Sequence, residues 1–158
     1  MALEEIKSTL KELKKKRAEF ELEIKTEIKT LLEKGLAEIL EANPILEGIS
    51  WKQYIPGWND GDVCHFQLSD RTVKFNDDSA SGDNRDGYIY SWDMTTYNRT
   101  TRKNDPKLGF EEKYEIYKEI ESIISVISKQ ELENIYGDGS RVTVTRAGVN
   151  IEDYYDEN

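Results

Sequence analysis

Cys64 and His65 stand side by side, the one thiol and the one imidazole in 158 residues. A Cys–His dyad would set a thiolate nucleophile beside its general base. Val63–Leu68 reads as a strand, however, and neighbouring strand side chains point to opposite faces. Cys64, Phe66 and Leu68 then share one face and His65 and Gln67 the other. Cys64 is expected as a small buried hydrophobe and His65 as a surface residue. One cysteine also allows neither an internal disulfide nor a Cys-rich zinc site.

Carboxylates offer the next chemistry. Asp60 and Asp62 could share acid–base work, but with 32 acids in the chain such pairs arise by chance. The oxygen-rich loop Asn76–Gly87 invites Ca²⁺. Aligning Gly87 with the invariant EF-hand glycine puts Gly82 where the first aspartate ligand belongs, and Arg85 opposes a dication. There is no Gly-rich phosphate-cradling motif. Neither a metal nor another cofactor is expected, and the chain reads as a non-enzyme.

Aromatics are the last candidates. Trp51, Tyr54, Trp58, Tyr88, Tyr90, Trp92 and Tyr97 precede Arg99, Arg102 and Lys103. They could stack a base and hold a phosphate. The simpler account is that they fill a sheet–helix core, since aromatics favour strands. Trp58, in a Pro-Gly-Trp-Asn-Asp-Gly turn, is the hardest to assign to strand packing. Trp58, Asn59, Asp60, Asp62, Trp92, Arg99 and Arg102 are therefore the candidate partner- or ligand-binding residues.

The positioning elements start with a long helix, expected over Leu3–Glu41. Leu3, Ile6, Leu10, Leu13, Arg17, Phe20 and Ile24 advance by alternating steps of three and four, a heptad seam with one charged member. Ile28, Leu31 and Gly35 resume it after an extra four-residue step, as a stutter would. Such a helix is roughly 58 Å long at 1.5 Å per residue, more than a small domain spans. Part of its seam therefore calls for another helix, and residues 1–41 are expected to be an oligomerisation segment. Arg17 either sets the register of that pairing or marks where the helix meets water. Asn43-Pro44 stops the helix.

Residues 42–158 should then form one α+β body. Strands are expected at Ile49–Ile55, Val63–Leu68, Thr72–Phe75 and Tyr88–Met94, followed by a polar connector, Thr95–Leu108. Phe110–Asn134 reads as a second, packing helix, with its β-branched run Ile123–Ile127 weakening the last turns. Arg141–Arg146 and Val149–Tyr154 form a hairpin, and the chain closes on an acidic tail. The sheet should be mostly antiparallel.

The net charge of −10 is concentrated late, with −7 over residues 110–158. That balance argues against direct binding to nucleic acid or to an anionic membrane, both of which need a basic footprint. With 37% hydrophobic and 34% charged residues, the chain is polar, yet its apolar residues are strongly patterned, so disorder throughout is not expected. No apolar leader opens the chain and no stretch approaches a membrane span, which points to the cytoplasm.

The stretch Ile49-Ser50-Trp51-Lys52-Gln53-Tyr54-Ile55-Pro56-Gly57-Trp58-Asn59-Asp60-Gly61-Asp62-Val63-Cys64-His65-Phe66 resembles a segment of uncharacterised tailed-bacteriophage proteins. There a Trp-x-Gln-Tyr-x-Pro core runs into Asn-Asp-Gly and Cys-x-Phe. Val142-Thr143-Val144-Thr145-Arg146-Ala147-Gly148-Val149 is similar to the same group. This chain departs from it at Gly57-Trp58. The resemblance covers about a quarter of the chain. It implies a phage origin and action inside a bacterial host cell, and it carries no catalytic residues.

The expectation is a self-associating, non-enzymatic accessory protein, most simply a dimer, that binds a host or phage protein. Three alternatives remain: an acidic nucleic-acid mimic that inhibits a DNA-binding protein, a nucleotide or small-ligand binder, and a virion assembly component.

Overall fold

Forty residues, Leu3–Ala42, form one helix, α1. Glu4 and Glu5 occupy its first turn, where the helix dipole favours acids. Arg17 Nε donates to Glu21 one turn on at 3.0 Å. Gly35 does not end the helix. A Cβ there would lie 2.6 Å from Ile123 Cδ1, so the bare position lets another segment press close. The stop comes at Asn43-Pro44. Asn43 Nδ2 donates to the Ile39 carbonyl at 2.8 Å. Arg146 Nη2 donates to the carbonyls of Leu40 at 2.6 Å and Asn43 at 3.0 Å.

The chain is seen in a computed structural model that describes residues 2–57, 61, 63–77 and 85–154. After α1 come β1 (Leu46–Tyr54), β2 (Gln67–Phe75) and β3 (Tyr88–Ile89). A small hairpin follows, β4 (Thr95–Asn98) with β5 (Lys103–Pro106). Two helices, α2 (Glu111–Ile124) and α3 (Lys129–Tyr136), precede the closing hairpin of β6 (Gly139–Thr145) and β7 (Gly148–Asp153). The main sheet is antiparallel with strand order β3-β2-β1-β6-β7, so the first strand of the body lies at its centre, between β2 and β6 of the closing hairpin. This is the expected α+β architecture of a long N-terminal helix with an antiparallel sheet.

One sheet face is apolar and carries all three helices. Ile49, Trp51, Val73, Ile89, Val142 and Val144 form one cluster with Leu32, Leu36, Ile39 and Leu40 of α1, Ile116, Ile120 and Ile124 of α2, and Leu132 and Tyr136 of α3. Trp51 meets Tyr136 edge to face, with centroids 5.9 Å apart. Gln53 is fully buried beside them. Its Oε1 accepts from Trp51 Nε1 at 3.0 Å, and its Nε2 donates to the carbonyls of Leu132 at 2.9 Å and Gly137 at 2.6 Å.

Several expected boundaries move. Val63–Phe66 is not strand, and the single strand β2 runs through the interval placed between two. Tyr88–Met94 keeps only two strand residues before a 3₁₀ turn at Ser91–Asp93. The polar connector contains the β4–β5 hairpin. The single packing helix is two, α2 and α3. The β-branched run ends the first, and Ser128 starts the second with a capping box, its Oγ accepting from Glu131 N–H while Glu131 Oε1 accepts from Ser128 N–H, both at 3.1 Å. Ser128→Ala is expected to cost about 1 kcal/mol, read as a lower urea midpoint.

Tyr136 links α3 to α1, its hydroxyl donating to Glu33 Oε1 at 3.0 Å. Burial, then the nearby Glu33 charge and this hydrogen bond, push the phenol well above its ordinary pKa. At neutral pH both folded and unfolded chains keep the proton. As pH rises past about 10 the unfolded chain ionises first, so stability is lost upward from there. Tyr136→Phe is expected to lower stability at pH 8 and to flatten its decline between pH 9 and 11, by urea titration at each pH.

Candidate functional site

Among the described residues, the chemical candidates do not converge. Cys64 and His65 lie in the non-strand segment before β2, so the alternation argument does not apply to them. Cys64 is half-buried rather than fully buried and His65 is exposed. No hydrogen bond joins the two side chains. Trp58, Asn59, Asp60 and Asp62 lie outside the described residues. Of the loop Asn76–Gly87, the part from 78 to 84 lies outside as well. Among the described residues, no three His, Cys, Asp or Glu side chains gather as metal ligands.

The aromatic candidates divide. Trp51 is core. Trp92 is 65% exposed and stacks on Tyr90 with centroids 4.1 Å apart and planes 10° from parallel. Arg99 and Arg102 are exposed in the turn at the tip of the β4–β5 hairpin, where Arg102 takes a φ of 58°. Trp92 precedes the base of that hairpin, and the strand between base and tip rises about 10 Å. The structure thus sets the two arginines at the opposite end of the hairpin from the indole.

The acids of the last third also spread out. Glu121 pairs with Arg71 at 2.6 Å and Glu131 is bound in the α3 cap. Glu111, Glu112, Glu115 and Glu119 are exposed on α2. Residues 155–158 of the tail lie outside the described part.

The surface that stands out is α1. Every residue from Ala2 to Glu27 is exposed, and from Leu3 to Phe20 about 27 Å of helix runs clear of the body. On it Leu3, Ile6, Leu10, Leu13, Phe20 and Ile24 are between 40% and 64% exposed, and Leu31 further on is 59% exposed. Ile28 is half-buried and Arg17 is exposed with its Glu21 partner. The body instead takes Leu32, Leu36, Ile39 and Leu40. At 100° per residue, the centre of this packed face lies about a quarter turn from the seam. The helix therefore has two apolar faces, one used within the chain and one open. Contiguous exposed apolar surface of this kind marks an interaction site in a folded protein.

Where the seam reaches the body it gains a wall. Ile24 and Ile28, with Glu21 and Lys25, line a groove of about 330 Å³ against Glu131, Asn134 and Ile135 of α3. Ile135 lay just past the expected end of the second helix. The Ser128-x-x-Glu131 capping signature is the sequence signal that would have placed it on a helix of its own.

No helix among the described residues is long and apolar enough to cross a membrane. No protein-family model, curated protein or solved structure matches this chain.

Proposed function

We propose that this protein is a non-enzymatic, self-associating phage accessory protein. It pairs with a second copy through α1 and presents its body to a host or phage macromolecule in the bacterial cytoplasm. One observation carries the reading: a regular apolar seam stands open on a helix that already buries a different face in its own core. An isolated arm of this length, with leucines in water, gains most from a matching helix. The phage assignment rests on the resemblance over Ile49–Phe66 and Val142–Val149 alone.

Sedimentation equilibrium at tens of micromolar tests the self-association. A mass of twice the 18.3 kDa chain is the expected result, and 18.3 kDa throughout would overturn it. Mass spectrometry of what co-purifies from phage-infected cells, against uninfected controls, then identifies the macromolecule.

A further inference from the structure

The charges on α1 decide how two copies would pair. Lys7, Lys11, Lys14, Lys15, Lys16 and Arg17 against Glu12 give residues 7–17 a net +5. Glu19, Glu21, Glu23 and Glu27 against Lys25 give residues 19–27 a net −3. Resting on the self-association reading, we propose that the two α1 helices pair antiparallel. Leu10 and Leu13 of each copy then seat in the α1–α3 groove of the other.

Parallel pairing would lay the +5 block of one helix against the +5 block of its partner. Antiparallel pairing, centred between Arg17 and Phe20, lays each basic block along the partner's acidic one. The seam's flanks agree at the level of single residues. Lys14 and Lys16 flank it beside Leu13 and Arg17, and Glu21 and Glu23 flank it beside Phe20 and Ile24. The antiparallel register sets Lys14 facing Glu21 and Lys16 facing Glu23, each twice by symmetry. The parallel register keeps only Lys16 facing Glu21, twice. Like charges facing across a helix pair are destabilising, so the difference selects orientation.

The same register uses the groove. Ile24 and Ile28 fall level with the partner's Leu13 and Leu10, and Ile135 supplies a third apolar wall that a bare two-helix coil would lack. Glu21 and Glu131 on the groove then lie beside the partner's basic block. Arg17 meets the partner's Phe20, where its aliphatic stem can lie along the ring and its head stay with Glu21. The overlap covers residues 3 to 34 of each chain, more than four heptads, enough for a stable seam.

The test places one nitroxide label on each copy at Ser8→Cys, on the outer side of α1, in a Cys64→Ser background. Antiparallel helices separate the two labels by about 32 Å along the axis. Parallel helices bring them level, with only the width of the pair, about 20 Å, between them. Electron–electron distance measurement should give the long separation. Mixing Leu13→Cys and Ile24→Cys chains should then form a mixed disulfide, while Leu13→Cys alone should not cross-link. Close labels with self-linked Leu13→Cys chains would overturn the orientation and leave self-association standing. A monomeric mass for the labelled protein would overturn both.

Discussion

Replacing Leu10 and Leu13 together by glutamate is expected to abolish the proposed pairing of two chains without unfolding the body. Both side chains are more than half exposed in the single chain, so neither contributes to the core. In the pair each would be enclosed, and removing a buried leucine costs about 2 kcal/mol or more. Four such losses across two chains, with new acids in an apolar seam, raise the dissociation constant at least about a thousandfold, since 1.4 kcal/mol is a factor of ten. Sedimentation should report the change of mass. Fluorescence from buried Trp51 and the unfolding midpoint of the body should hold, because Leu32, Leu36, Ile39 and Leu40 are untouched. Far-ultraviolet dichroism should fall, because the freed arm ahead of the α1–α3 groove has no tertiary contact to hold it in a helix. A double variant that keeps the dimeric mass would remove the seam as the interface.

Gln53→Leu is expected to be strongly destabilising, although it removes no bulk from the core. The substitution keeps volume and removes the side chain that ties β1 to the end of α3. Trp51 Nε1 would lose its acceptor and the Leu132 carbonyl its donor, both in the buried core, and the more exposed Gly137 carbonyl would lose a donor as well. Each buried polar group left unpaired costs about 1–3 kcal/mol, so a loss on the order of 4 kcal/mol is expected. That is a large share of the 5–15 kcal/mol typical of a domain. Urea unfolding followed by Trp51 fluorescence measures it, and a midpoint within experimental error of the wild type would show that the three bonds contribute little.

What the sequence made legible was whatever periodicity controls. The three-four spacing from Leu3 to Ile24 identified α1, and Asn43-Pro44 marked its end. Alternation in Arg141–Arg146 and Val149–Tyr154 identified the last hairpin. What it hid was decided by tertiary partners. Leu31 and Leu32 are adjacent apolar residues of one helix, and only the position of the body settles that Leu32 is buried while Leu31 stays open. Gly35 reads in sequence only as a member of the seam, whereas its role is spatial: it admits Ile123. Tyr88–Met94 looked like a continuous strand because aromatics suit strands. The stacked Tyr90–Trp92 pair instead sits at a turn where Tyr90 N–H donates to Asp93 Oδ2 at 2.8 Å. The α1–α3 groove was out of reach, since it joins Ile24 to Ile135 across more than a hundred residues.

Arg146 has a mechanical consequence. Its guanidinium, held in the turn between β6 and β7, grips the final carbonyls of α1. The junction of arm and body therefore resists swivelling, and α1 behaves as a strut rather than a tether. In an antiparallel pair two such grips would stand about 70 Å apart along a common rod, one body at each end. A target presenting matching sites at that span would be held twice, with avidity many times the single-site affinity, whereas a target with closer sites would be held once. Loosening the grip with Arg146→Ala would trade that fixed span for a swinging one.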